Sequence, residues 1–111
     1  MTGDPAKRKI LGLVGLGLRG RLAVVGVQQV REAAKRDRLK IALVASDASQ
    51  NSLNKVESLL IARKVRIVPD FSGRELGEVA GRETVAVIGV SDAGLAKGIT
   101  DAISRLPGGS A

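Results

Sequence analysis

Residues 15–20 read Gly-Leu-Gly-Leu-Arg-Gly, a match to the G-x-G-x-x-G spacing that brings a backbone close to a pyrophosphate at the mouth of a helix. The chemistry implied is dinucleotide binding. It needs a helix straight after the turn and an acidic residue about 20 positions on, to hold the ribose. Here residues 21–27 are Arg-Leu-Ala-Val-Val-Gly-Val, β-branched and interrupted by Gly26. Asp47 lies 32 residues beyond Gly15, and Asp37 sits in a polar helical stretch. A dinucleotide module is therefore the weaker reading. Glycines that let a first helix pack closely on its neighbours account better for the pattern. Ser46 and Asp47 invite a nucleophile, but no His, Cys or Tyr exists to activate one. They fit turn formers instead. The carboxylates show no paired spacing suited to acid–base work. Without His and Cys, the commonest general base and the commonest metal ligands are absent. The expectation is no enzyme, no metal, no cofactor and no small-molecule substrate.

What remains is a concentration of cations. Residues 1–40 carry ten Lys/Arg against three Asp/Glu, while residues 41–111 carry eight of each, so the whole net charge of +7 sits in the first third. A solvated basic face is the bland explanation. Charge this concentrated more often marks an anionic partner, nucleic acid first. Gly26 precedes a helical stretch bearing Arg31, Lys35, Arg36 and Arg38, and Arg19 and Arg21 come just before it. A helix opening after Gly26 presents unpaired N–H groups and a positive dipole end, both suited to phosphate.

The elements that must position these residues alternate. Helical spacing covers 7–18, 27–38, 50–64, 72–80 and 92–106; strand patterns cover 22–25, 40–45, 65–68 and 84–90. Ser72 and Glu75 have the spacing of a capping box. The strands KIALVA (40–45) and TVAVIGV (84–90) are apolar almost throughout, as strands buried on both faces are. They should be central. The expectation is an α/β fold: a three-layer α/β/α sandwich around a mixed four-stranded sheet, one domain over residues 7–106, with 1–6 and 107–111 as flexible tails. The apolar run 10–18 is too short to span a bilayer and ends in Arg19-Gly20-Arg21 rather than a cleavage site, so the chain reads as cytoplasmic.

Several pieces in order carry a resemblance: LGL (11–13), Gly26 at the mouth of the second helix, LVASDAS (43–49), VRIVP (65–69), RELGEVAG (74–81) and AVIGVSDAGLAKGI (86–99). Together the chain resembles the L7Ae ribosomal-protein family, within it the small bacterial YlxQ-like members, from about Ile10 to Ile103. The resemblance implies the sandwich and an RNA partner, namely kink-turn or related internal-loop RNA, ribosomal RNA included, bound as a ribonucleoprotein. The family's signature is Gly-x-Asn-Glu-x-x-Lys at the start of the second helix. This sequence has Gly26-Val27-Gln28-Gln29-Val30-Arg31-Glu32, with glutamines at the Asn and Glu positions and a reversed charge at the Lys position. Arg31 or Lys35 is then the expected replacement cation. Lys35 and Arg36 are expected on phosphates, with Arg21 beside them, and Gln28 and Gln29 on base edges. The family's second contact implies a loop at 68–74, where Phe71, the only aromatic, would stack on a base; the alternative is that Phe71 is buried. A protein-interaction adaptor is the other functional class, with the run 59–61 as its apolar surplus.

Overall fold

In a computed structural model that describes residues 4–106, the alternating pattern becomes five helices and four strands: α1 (Pro5–Arg19), β1 (Ala23–Val25), α2 (Val27–Lys35), β2 (Ile41–Ala45), α3 (Gln50–Ala62), β3 (Arg66–Phe71), α4 (Gly73–Ala80), β4 (Val87–Val90) and α5 (Ala93–Ile103). The strand order is β1-β4-β2-β3, so the two apolar strands are the central ones, as expected. β4 runs antiparallel to both neighbours and β2 parallel to β3, giving a mixed sheet.

The pleat divides the core in two. Ile41, Leu43 and Ala45 point to one face and pack with Ile10 and Val14 of α1, Leu76 of α4 and Ile99 of α5. Ala42 and Val44 point to the other and meet Val30 and Ala34 of α2 and Val56 and Leu60 of α3. The layers are thus α1, α4 and α5, then the sheet, then α2 and α3. The glycines of the G-x-G-x-x-G match lie at the end of α1, with no turn between a strand and a helix for a pyrophosphate. A Cβ at Gly17 would lie 3.2 Å from the Leu95 side chain and 3.3 Å from Ala23, so the residue serves close packing.

Three helices close through a non-glycine residue in the left-handed region. Beyond α1, Arg21 takes φ +60°, beyond α2 Asp37 takes +55°, and beyond α3 Lys64 takes +59°. Each turn is closed in the same way: Leu22 N–H donates to the Gly17 carbonyl, Arg38 to Ala33 and Val65 to Leu60, five residues back in every case. This is why α2 ends at Lys35, three residues earlier than its amphipathic pattern suggests.

The expected strand at 65–68 runs on through Pro69 to Phe71. β3 is an edge strand, where a proline without an N–H is tolerated. The pairings Leu43 with Val68 and Ala45 with Phe71 leave one extra residue on β3, a bulge. β4 starts at Val87, later than the run from Thr84 suggests. At the chain's start, Asp4 caps α1 by accepting from Ala6 and Lys7 N–H, and Ala6 is buried, so residues 4–6 belong to the domain rather than to a tail. The rest of the tail expectation, 1–3 and 107–111, lies outside the described residues. Among the described residues no helix is long and apolar enough to cross a membrane.

Candidate nucleic-acid interface

The site begins at Gly26. It links β1 to α2 with φ +97° and ψ 156°, a conformation essentially reserved for glycine. Its N–H donates to the Val87 carbonyl (2.9 Å), which ties the mouth of α2 to the start of β4. No side chain caps the helix. The first-turn N–H groups after Gly26 therefore face outward with the positive end of the helix dipole. Val27 is half-buried against the α2/α3 core, whereas Gln28 and Gln29 are exposed.

Gln29, Glu32, Ala33 and Arg36 recur at helical spacing on one face of α2 and form a wall of a cleft of about 200 Å³. The opposite wall comes from the edge of the sheet and its flanking turns, with Arg21, Val24, Arg38 and Ser91. The two left-handed turns at Arg21 and Asp37 thus aim Arg21 and Arg38 into one space with Arg36. Lys35 is exposed, 3.9 Å from the Glu32 carboxylate, and is not part of the cleft lining. At that distance and exposure the pair contributes little.

Arg31 is placed differently. It is half-buried, its Nε is buried without a hydrogen-bond partner, and it does not line the cleft. Of the cations expected to stand in at the signature's last position, Lys35 lies beside Glu32 and Arg31 does not reach the cleft. The arginines that do share the cleft with Gln29 are Arg21, Arg36 and Arg38.

Phe71 is the main correction. It is 0% exposed, packed in the α1/α4/α5 core with the Lys7 ammonium 4.9 Å from the ring centroid, and cannot stack on a base. The bulge at Pro69-Asp70 shifts the strand's alternation by one, leaving those two residues outside and turning Phe71 inward. It is also three strands from β1 across the sheet, roughly 14 Å at the usual strand spacing.

A second cavity carries no signal in the sequence. About 280 Å³ in size, it lies among Ala45, Ala48, Ser49, Gly73 and the segment Thr84–Ala86 just before β4. Asp47 stands in its wall and accepts from Gly73 N–H at 2.8 Å, a contact that reaches across to the start of α4 rather than a local turn bond. The pairing of β1 with β4 sets Gly26 against Val87, the residue that follows this segment. The apolar run 59–61 leaves Ile61 alone in solvent, 67% exposed, since Leu60 is buried and Leu59 half-buried. Among the described residues no cluster of acidic groups could hold a metal ion.

Relatives give this arrangement its context. The chain is 30% identical over 91 residues to the "RNA-binding protein YlxQ" of Enterococcus faecium, covering 82% of this chain and 87% of that one. It is 34% identical over 84 residues to the protein of the same name in Bacillus subtilis, covering 76% and 84%. Its fold resembles a Bacillus halodurans protein of unknown function, at 26% identity and TM-score 0.77, over 85% of this chain and 95% of that one. A Giardia lamblia 15.5kD RNA binding protein shares the fold at TM-score 0.76 over 95% and 90%, with 15% identity. The profile of the Ribosomal protein L7Ae/L30e/S12e/Gadd45 family matches residues 9–100, and the chain belongs to that family.

Proposed function

We propose that this protein binds structured RNA of the kink-turn type or a related internal loop, within ribosomal RNA or its assembly intermediates, and that it does so without catalysis. The observation that carries the reading is the uncapped mouth of α2 at Gly26, with Gln29 opening into a cleft that holds Arg21, Arg36 and Arg38. Side chains cannot enter the deep major groove of regular A-form RNA, so such a convex helix end suits a distorted, widened element. The RNA-binding names of the two bacterial relatives point the same way. In this reading Gln28 and Gln29 contact base edges through their amides, which both donate and accept. Arg21, Arg36 and Lys35 contact phosphates, and an unpaired base enters the cavity beside residues 84–86 in place of stacking on Phe71. Fluorescence anisotropy with a kink-turn hairpin and a regular duplex of equal length tests it. Tighter binding to the hairpin is expected at every salt concentration. Equal affinity for both would leave only a general basic footing and sink the claim of structural recognition.

A further inference from the structure

Gly12 stands in the middle of α1 without a packing reason. A Cβ at Gly15 would lie 3.3 Å from the Val79 side chain, and one at Gly98 of α5 would lie 3.0 Å from Leu13, so those glycines seat the helices of this layer on one another. A Cβ at Gly12 would meet nothing within 4 Å, and the residue is exposed. A glycine inside a helix costs stability against alanine, and no contact within the molecule offsets that cost here. What the missing Cβ leaves room for is the close approach of something outside.

The surroundings of Gly12 define the chemistry of that partner. Arg8, Lys9, Gly12, Leu16 and Arg19 recur at helical spacing along the outer face of α1, all of them exposed. Leu16 is 53% exposed, and Leu22, which folds back against Gly20 one turn further on, is 39% exposed. Among the described residues Arg8, Lys9 and Arg19 form no ion pair, and no Asp or Glu occurs in the chain between Asp4 and Glu32. Arg19 lies back along the helix, with a guanidinium nitrogen 3.4 Å from the position of a Gly15 Cβ, so the cations flank Leu16. A second copy of the chain would set these cations against their own kind. A nucleic acid would find no exposed aromatic on which to stack a base, because Phe71 is buried. A lipid surface needs a broad apolar helix face, and that of α1 is packed against the sheet.

We propose that the outer face of α1 docks an acidic amphipathic helix of a partner protein. That helix crosses at Gly12, covers Leu16 and Leu22, and sets its carboxylates on Arg8, Lys9 and Arg19. Because α1 and α2 lie on opposite sides of the sheet, the partner leaves the mouth of α2 at Gly26 open.

The probe is a capped, alanine-based helical peptide with two leucines at its centre and glutamates one and two turns to either side. Titrated into the 15N-labelled protein, it is expected to shift the amides of Gly12, Leu16 and Gly20 and to leave those of Gly26 and Gln29 in place. Leu16→Ala should weaken it about five- to tenfold, the scale of covering a leucine that is half in water. Arg8→Glu should weaken it about three- to fivefold, the upper range for an exposed ion pair. Gly12→Ala separates docking from folding: it should raise the urea midpoint, alanine being the better helix former, and still weaken the peptide. Three comparisons stand for the other occupants: the protein alone over a concentration series, the kink-turn hairpin, and phosphatidylglycerol vesicles. If any of these shifts the Gly12 and Leu16 amides as the peptide does, the face belongs to a second copy, to RNA or to a membrane, and the proposal is overturned. It is equally overturned if the peptide binds no tighter than the same peptide with lysines for its glutamates. The same holds if either Gly12→Ala or Leu16→Ala leaves its affinity unchanged, since charge alone then accounts for the binding. Leu16→Ala should bind the hairpin as wild type does, so failure of this face and failure of the RNA reading are told apart.

Discussion

Gln29 and Arg36 share one face of α2 yet should fail differently when removed. Gln29→Ala should cost ~1–3 kcal/mol on a kink-turn RNA and little on a regular duplex, because an amide that reads a base edge is lost. Arg36→Ala should weaken binding to all RNAs alike and lower the slope of log affinity against log salt by ~1, the mark of one phosphate contact. Affinity measured for both RNAs over a salt series separates the two; a slope unchanged by Arg36→Ala would place that residue off the interface. At this scale the sequence showed which cations gather before and after Gly26, but not which of them share a space. Arg31 stands in α2, which Arg36 caps, and is turned half inward with its Nε buried. Arg38 lies beyond the helix and is brought back by the turn at Asp37. Such orientations depend on how a helix rotates against the sheet, which one-residue differences in its termini decide.

Elements were legible where local chemistry defines them. The capping box expected from Ser72 and Glu75 is present, with Glu75 N–H donating to Ser72 Oγ (3.1 Å) and Ser72 N–H to Glu75 Oε1 (2.9 Å). Ser72→Ala should therefore cost ~1 kcal/mol in urea unfolding. Helix ends without glycine were not legible. Lys64 closes α3 at φ +59° and is exposed, so Lys64→Gly should relieve left-handed strain and stabilise the protein by up to ~1 kcal/mol, part of the gain being offset by a freer unfolded chain. A lower urea midpoint for this variant would show that the lysine side chain contributes more than its backbone costs. At Gly26 the balance reverses. A Cβ there meets nothing within 4 Å, so the cost of Gly26→Ala, ~1–3 kcal/mol, is backbone strain alone. RNA affinity should fall with it, since relaxing that strain turns the mouth of α2 away from Val87.

Across the whole molecule the two halves of the core are coupled through a shared sheet. Leu43→Ala opens the α1/α4/α5 side and Val56→Ala the α2/α3 side. The first should cost ~2–5 kcal/mol, as a fully buried leucine does, with the second smaller in proportion to its lost atoms. Because the proposed interface is built around α2, Val56→Ala should also reduce RNA affinity in conditions where the fold persists, while a milder Leu43→Val should not. Binding measured beside thermal melts distinguishes the two faces. The sequence by itself determined the layers, the two central strands and the basic first third, because apolar periodicity and charge are local properties that burial obeys wherever the strands pair. It also determined that the second helix opens at Gly26. Only the tertiary structure decided the rest. The antiparallel pairing of β1 with β4 set Val87 against Gly26, and the register shift between β2 and β3 buried Phe71. Two left-handed turns gathered Arg21, Arg36 and Arg38 around one cleft. Each of these follows from contacts between segments far apart in the chain, whose register no window of neighbouring residues contains.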